Sequence, residues 1–230
     1  MYFSKVTANS ALGIARELLD SRKDDAYASH SLLWQLFRGQ SSVKRFLFRE
    51  EHSANGLPVF YVLSSEPPAS SDVFLCQSKP YLPKLTAGDR LAFKLRANPT
   101  VSVRREDGRS RRHDVLMHAK KQVDTLGMSP DEALEAKRAA ALQGAIGWMS
   151  DCKRLEQWGI QLDCSPEVDI ESYQQQCLYK PKEKRFIRFS SVDYQGLLTV
   201  VDPDRFINTL HTGVGKAKGF GCGMWMIRRI

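Results

Sequence analysis

The chain has 230 residues, of which 42% are hydrophobic, and its formal net charge at pH 7 is +8. This length allows one large domain or two small ones with a real core, and the charge favours a polyanionic partner. No apolar run approaches the ~20 residues that span a membrane, and the N-terminus lacks the apolar core of a signal peptide, so we expect a cytoplasmic protein with no membrane partner.

The first part of the chain predicts the order strand, helix, strand, strand. Alternating residues indicate a strand over Tyr2–Ala8, and helical spacing indicates helices over residues 11–19 and about 26–37. Three further strands are predicted, the first two joined by an Asn-Gly turn, at 45–49, 58–64 and, more weakly, 81–85. This part shows no convincing second helix.

The turn at residues 87–89 predicts a boundary between domains at 1–88 and 89–230. Strict alternation over 90–96 then indicates a half-buried strand with a basic outer face. Later elements are predicted as two strands, a helix and a terminal strand, at 185–190, 196–201, 204–211 and 224–227. The expected fold is therefore α+β, with two tandem ferredoxin-like βαββαβ domains of the kind that RNA-recognition motifs use.

The clearest helix of the chain begins after Ser129. This serine is the expected N-cap, Pro130 the first helical residue, and Glu132 completes a capping box. Helix formers continue, but we expect a break or bend near Gly144 and Gly147, before the segment that ends at residue 158.

Basic side chains concentrate in separate segments of the sequence, at 94–121, at 180–188 and after residue 204. Such segments can assemble a groove for a nucleic-acid backbone, although the arginine-flanked turn at 104–113 can equally be a solvated loop. From the first two segments we expect backbone contacts by Arg96, Arg104, Arg105, Arg109, Arg111, Arg112, Lys180, Lys182, Arg185 and Arg188.

A glycine-rich segment at 213–223 holds five glycines and two lysines. Exposed N–H groups flanked by lysines suit phosphate, but the order here is helix, loop, strand, whereas nucleotide loops need strand, loop, helix. A nucleotide-using enzyme is therefore disfavoured, and the alternatives are a plain flexible turn or a nucleic-acid contact. The contact would use Gly213, Gly215, Lys216, Lys218, Gly219 and Gly221.

The metal-binding residue types show no convincing spacing. The five cysteines form no Cys-x-x-Cys pair, and their simplest interpretation is that all are reduced thiols. A zinc site formed by Cys152, Cys164 and Cys177 is a weak alternative. No His, Asp and Glu cluster has metal-ligand spacing, and no Gly-x-Ser-x-Gly elbow is present. We therefore expect neither a metal nor a cofactor.

Several motifs, taken in order, closely resemble the CasE family, the CRISPR repeat-processing endoribonucleases of Cascade-type systems. These are the start Met1-Tyr2-Phe3-Ser4-Lys5-Val6, the Tyr27-Ala28-Ser29-His30 element, the Phe93 to Pro99 segment, Gly196-Leu197-Leu198-Thr199-Val200, and the glycine-rich ending. The resemblance covers nearly the full length, and residues 127–179 match only loosely.

The resemblance implies two ferredoxin-like domains and cleavage of CRISPR precursor RNA at the base of a repeat stem-loop, without metal. Attack by the 2′-hydroxyl would leave a 5′-hydroxyl and a 2′,3′-cyclic phosphate or 3′-phosphate. Members of the family commonly stay bound to the mature RNA as a subunit of Cascade, whose other subunits are then expected partners. A non-catalytic subunit that binds an RNA hairpin is the alternative.

The catalytic residues that the resemblance implies are Tyr27 and His30, with a lysine of the 180–188 segment, Lys184, stabilising charge. Spacing of three residues places Tyr27 and His30 on one helix face, and a histidine pKa near ~6.5 suits an acid or a base. The other histidines carry weaker expectations: His211, for example, closes a helix, where a cation offsets the dipole.

Overall fold

The computed structural model describes residues 1–9, 13, 25–39, 45–104, 108–163, 168–180 and 185–230. By its internal contacts the chain divides into two units, which are described separately below. Unit 1 comprises Met1–Lys84, Cys177–Arg188 and Asn208–Met224, and unit 2 comprises Leu85–Gln176, Phe189–Ile207 and Trp225–Ile230. The sequence-based domain limits of 1–88 and 89–230 stay a prediction.

Unit 1 contains an antiparallel sheet of four strands in the order β2-β3-β1-β4. Its strands are β1 (Tyr2–Ala8), β2 (Leu47–His52), β3 (Pro58–Ser64) and β4 (Phe74–Pro80). The first strand of the chain pairs with β3 on one side and with β4 on the other. The first and third strands therefore lie at the centre of the sheet and the second and fourth at its edges, which is the strand order of a ferredoxin-like domain.

The helix of unit 1, α1, spans Asp25–Gln35. The helix predicted at 11–19 lies outside the described residues. Residues 65–73, between β3 and β4, contain no helix, as the sequence indicated.

The strand predicted at 81–85 is wrong, because the fourth strand ends at Pro80. Pro80 and Pro83 cannot donate to a ladder, which excludes the later residues from regular pairing. Strand β4 was missed because it lies at the edge of the sheet and buries only Phe74 fully, so its outer half shows no apolar alternation.

The core of unit 1 is a row of phenylalanine rings between α1 and the sheet. Consecutive ring centroids along Phe37, Phe46, Phe48, Phe60 and Phe74 lie 5.2, 6.0, 6.4 and 6.1 Å apart. All five rings are less than a tenth exposed. Aromatic contacts at such distances add to the hydrophobic free energy of burial, so the row fixes α1 on the sheet.

The later elements begin with β5 (Arg90–Ala97) and a hairpin of β6 (Thr100–Arg104) and β7 (Ser110–Asp114). Three helices follow, α2 (Val115–Gln122), α3 (Pro130–Met149) and α4 (Cys152–Trp158). The remaining elements are β8 (Ile160–Leu162), β9 (Asp169–Lys180), β10 (Arg185–Val200), α5 (Pro203–Thr212) and β11 (Trp225–Arg229).

The second sheet has the order β11-β5-β10-β8, with β9 also paired to β10. This is again the ferredoxin-like order, so the chain carries two tandem ferredoxin-like domains and the predicted fold class is confirmed. In the described part of the chain, no helix combines the length and the apolarity that a membrane crossing requires.

The capping box of α3 forms as predicted, but the expected break does not. Ser129 accepts from the Glu132 N–H at 3.3 Å, and Glu132 accepts from the Ser129 N–H at 2.8 Å. The helix continues past Gly144 to Met149. A Cβ at Gly144 would lie 3.1 Å from the Ala119 Cβ, so this glycine permits close packing of α2 on α3.

The two strands predicted at 185–190 and 196–201 are one strand, β10. Its middle is held by Tyr194, which is fully buried and donates its hydroxyl to the Ala145 carbonyl at 3.1 Å. Gly196 lies within this strand, at a place where a Cβ would come within 3.2 Å of the Phe93 ring. The glycine therefore marks a close approach and not an interruption.

Candidate active site

His30 is held in a defined orientation on α1 of unit 1. The indole Nε1 of Trp34, one turn later, donates to His30 Nε2 at 3.1 Å, and the rings of Phe46 and Phe48 lie 5.5 and 6.2 Å away. Burial lowers the pKa of His30 below its ordinary value. Because an imidazolium cannot accept a hydrogen bond, the Trp34 contact also selects the neutral ring, with its proton on Nδ1.

The glycine-rich segment lies against this histidine. A Cβ at Gly219 would sit 3.7 Å from His30 Nε2, so the backbone of the segment runs beside the imidazole. A Cβ at Gly221 would likewise lie 3.3 Å from the Phe48 ring. Unit 1 therefore brings together two sequence motifs that are far apart in the chain.

The segment closes on itself through its own backbone. The Val214 N–H donates to the Gly223 carbonyl at 2.9 Å, which joins the two ends of the loop. Gly213 has a φ of +67°, and a Cβ there would meet the Gly223 oxygen at 2.8 Å, so only glycine fits. We conclude that Gly213 serves the shape of the loop; its predicted RNA contact stays a prediction.

The two lysines of the segment differ in environment. Lys218 Nζ donates to the carbonyls of Thr212 and Gly213 at 2.7 and 2.9 Å and so satisfies the last carbonyls of α5. Burial lowers the pKa of Lys218, and the nearby charges of Arg45 and Lys216 add to this. Lys216, by contrast, is exposed, as is Gly215.

A cavity of about 560 Å³ opens beside His30 within unit 1. Trp34, Phe46 and Gly219 form its wall together with polar and cationic side chains, which include Arg45, Ser65, His211 and Lys218. No carboxylate occurs among the described residues that line it. A cavity with imidazole and cationic groups and no carboxylate suits an anionic phosphate.

The remaining predicted catalytic residues are less fully described. Tyr27 lies in α1, one turn before His30, and Lys184 lies outside the described residues. Among the described residues, no group of three or more His, Cys, Asp and Glu side chains is placed to hold a metal ion.

The predicted RNA-binding arginines fall into two groups in unit 2. Arg104, Arg109, Arg111 and Arg112 are exposed on the β6–β7 hairpin. Arg96, on β5, instead forms a bidentate pair with Asp193, with Nε and Nη2 at 3.0 and 2.9 Å from the carboxylate oxygens. Asp193 is only 9% exposed, so this arginine compensates a nearly buried charge.

The basic residues predicted near 180–188 belong to the paired strands β9 and β10. Lys180 ends β9, Arg185 begins β10, and Arg188 is exposed on β10. Lys182 and Arg105 lie outside the described residues. The RNA contacts of all these residues stay predictions.

Sequence reasoning missed Trp34, Arg45 and His211 as neighbours of one cavity. Only Trp34 gave a usable signal, since its spacing of four residues places it on the same helix face as His30. Arg45 and His211 reach the cavity through tertiary contacts, which no local pattern reports.

Tandem ferredoxin-like domains with a histidine in a basic cavity, whose described lining contains no carboxylate, define a class of protein whose site suits the phosphate of a polyanion. The chain matches, over residues 1–229, the model of the family described as CRISPR associated protein, and it belongs to that family.

Two relatives sharpen this assignment. The chain is 26% identical over 231 residues to the CRISPR system Cascade subunit CasE of Escherichia coli, with 97% of each chain covered. It is 29% identical over 155 residues to the CRISPR-associated endoribonuclease Cse3 of Thermus thermophilus, covering 64% of this chain and 59% of that one. The resemblance to CasE inferred from motifs is confirmed.

Solved structures agree with the sequence relatives. The endoribonuclease Cse3 bound to a 19-nucleotide RNA has a TM-score of 0.67 and 25% identity, with 99% of this chain and 100% of that chain covered. Thermus thermophilus Cse3 bound to an RNA representing a pre-cleavage complex has a TM-score of 0.65 and 25% identity, with 99% and 98% covered.

Proposed function

We propose that the protein is an endoribonuclease that cleaves CRISPR precursor RNA within its repeats, at the base of a stem-loop. It then holds the mature RNA as a subunit of Cascade. The observation that carries this proposal is His30, neutral and oriented, in a cavity with cationic groups and without a carboxylate among its described lining. The relatives named for Cascade and for endoribonuclease activity support it.

The proposed chemistry needs no metal. Neutral His30 accepts the proton of the 2′-hydroxyl on Nε2, which releases the Trp34 hydrogen bond. The 2′-oxygen attacks the adjacent phosphorus, and the bond from phosphorus to the 5′-oxygen breaks as that oxygen takes up a proton. Arg45 and Lys218 are placed to offset the charge that develops on the phosphate, and Tyr27 and Lys184 complete the proposed catalytic set. The products are a 5′-hydroxyl and a 2′,3′-cyclic phosphate or 3′-phosphate.

Binding is proposed to rest on phosphate contacts, because A-form RNA is recognised mostly by shape and backbone. The hairpin arginines and Lys216 are exposed, so that they can approach phosphates from the surface. The family resemblance assigns the basic segment 180–188 to the same task, through Lys180, Lys182, Arg185 and Arg188.

The decisive experiment compares two repeat stem-loop RNAs in EDTA, one of them with a 2′-deoxy nucleotide at the cut site. We expect cleavage of the first RNA only. Cleavage of both would exclude attack by the 2′-hydroxyl, and a reaction that stops in EDTA would exclude the metal-free route.

His30→Ala provides the matching protein test. We expect cleavage to fall by roughly 10²–10⁴-fold while RNA binding stays near that of the wild type. His52→Ala is the control, because His52 is an exposed histidine of the same unit, and it should cleave normally.

One observation favours the alternative of a non-catalytic RNA-binding subunit. The Trp34 hydrogen bond satisfies His30 Nε2, as it would for a histidine that only packs in the core. In that case the wild type would bind the stem-loop tightly without cutting it, and His30→Ala would change neither property.

A further inference from the structure

His211 is a second imidazole of the same cavity, and the mechanism above does not use it. It lies in the last turn of α5, and its ring lines the cavity of about 560 Å³ that His30 also lines. Both residues belong to unit 1. The tyrosine ring of Tyr81 packs edge-on against it, with centroids 6.1 Å apart, and so limits its rotation.

The Nε2 atom of His211 is buried and has no hydrogen-bond partner within the part of the chain that the structure describes. A buried polar atom without a partner raises the free energy of the fold, because its hydration is lost and nothing replaces it. Such an atom beside a cavity is satisfied when a ligand supplies the partner. Here the cavity suits a phosphate, so the partner would be an oxygen atom of the RNA.

The proposed reaction requires two proton transfers, and His30 accounts for one of them. A base must remove the proton of the 2′-hydroxyl, and an acid must protonate the leaving 5′-oxygen. Neutral His30 can accept a proton only on Nε2, which does so by exchanging its Trp34 hydrogen bond for the 2′-hydroxyl proton. The donor must therefore be another group that reaches the same phosphate.

We propose that His211 is the general acid of this cleavage site, an inference that rests on the proposed endoribonuclease function. In the bound complex, His30 takes the 2′-hydroxyl proton as the oxygen bonds to phosphorus. His211 gives its Nε2 proton to the 5′-oxygen as the bond from phosphorus to that oxygen breaks. His30 ends protonated and His211 neutral, so charge and protons balance.

Two features favour a protonated His211 once RNA is bound. The C-terminal end of a helix attracts a cation, and His211 lies in the last turn of α5. Burial lowers the pKa of His211, and the charge of the N-terminal amine adds to this, whereas the negative charge of a bound phosphate opposes both effects.

The test uses two stem-loop RNAs that differ in one atom at the cut site. One has the natural 5′-oxygen, and the other has sulfur in its place, because a thiolate leaves without being protonated. With natural RNA we expect His211→Ala to cleave roughly 10²–10⁴-fold more slowly than the wild type. With the sulfur RNA we expect its rate to return to within about threefold of the wild type, whereas His30→Ala stays slow.

Other outcomes overturn the assignment. Full activity of His211→Ala on natural RNA removes the residue from the reaction. A loss that sulfur does not restore shows a structural role, and recovery of His30→Ala by sulfur reverses the two roles. Wild-type protein that cleaves neither RNA refutes the proposed function itself, so the two failures are distinguishable.

Folding is checked separately with the uncleavable 2′-deoxy stem-loop, which each variant should bind as tightly as the wild type does. His211→Gln keeps a side chain of similar length and serves where the alanine variant unfolds. It should show the same loss and the same recovery with sulfur, and His52→Ala should show neither.

Discussion

Unit 2 contains two basic surfaces that look alike in the sequence and differ in the structure. On strand β5, Arg90, Lys94 and Arg96 each face a carboxylate, those of Asp163, Glu171 and Asp193. On the β6–β7 hairpin, Arg111 and Arg112 are exposed and form no ion pair with the described residues. The difference teaches that distant carboxylates, and not the local count of arginines, decide which cations are available to RNA.

The strongest test of this comparison removes the hairpin charges. We expect Arg111→Ala with Arg112→Ala to weaken stem-loop binding roughly 10- to 100-fold, since the two exposed charge-assisted contacts together contribute about 1.4–2.8 kcal/mol. The slope of log affinity against log salt should also fall, by about one for each lost phosphate contact. Binding is measured over a salt series with the 2′-deoxy RNA.

Arg138→Ala is the matched control, because Arg138 is an exposed arginine of the same unit whose partner is Glu135. An equal loss of affinity in the control would show that only the net charge matters. The comparison between hairpin and strand would then fail.

Arg96→Ala should lower the stability of the fold and leave RNA affinity unchanged, in contrast to the hairpin substitutions. Its loss leaves Asp193, 9% exposed, without its guanidinium, at a free-energy cost of about 2–4 kcal/mol. Thermal unfolding should therefore occur about 4–16 °C lower, with an unchanged salt slope for RNA binding. A normal melting temperature with weaker binding would return Arg96 to the RNA-contacting group.

Arg90→Ala is the matching surface variant on the same strand. Its side chain is 55% exposed, so its pair with Asp163 should contribute less than about 1 kcal/mol. A melting temperature as low as that of the Arg96 variant would remove burial as the reason for the difference.

The lysines of the glycine-rich segment repeat the comparison within one loop. Lys216→Ala should lower the salt slope by about one and leave the melting temperature unchanged, since Lys216 is exposed. Lys218→Ala frees the carbonyls of Thr212 and Gly213, and we expect unfolding about 2–4 °C lower, for a loss of about 1 kcal/mol. Identical effects of the two substitutions would contradict their different environments.

His30 adds a third case, a basic group that its surroundings keep neutral. Burial lowers the pKa of His30 in the folded protein below its unfolded value. The neutral form therefore persists as the pH falls, and it is lost only when the pH drops below that lowered pKa. We expect the acid limb of cleavage under limiting RNA to lie below about pH 6.5. Trp34→Phe, which removes a donor to the neutral ring, should move that limb to higher pH; a limb already above 6.5 in the wild type would contradict the prediction.

Local patterns predicted the parts of the fold that local physics determines. The β3 strand shows its burial as an apolar run, and the capping box at Ser129 depends on neighbours three residues apart. The edge strand β4 and the role of Gly144 could not be read in this way, because each depends on a partner element distant in sequence.

The candidate site divides along the same line. The Tyr27 and His30 spacing pointed to α1, and the glycines pointed to a loop, but no local signal joined the two. Their meeting at Gly219, the entry of His211 into the cavity and the pairing of Arg96 with Asp193 are all long-range contacts. The sequence alone therefore predicts which types of residue a site contains, whereas the fold is needed to say which individual side chains reach it.

The hydrogen bond from Val214 to Gly223 has a kinetic consequence. Because the loop is already closed without RNA, little of the binding free energy is used to order its backbone. Preorganisation of this kind shows itself mainly as slow dissociation. Under the proposed function, we expect such a loop to favour a long residence time on the cleaved stem-loop and therefore few turnovers per protein molecule.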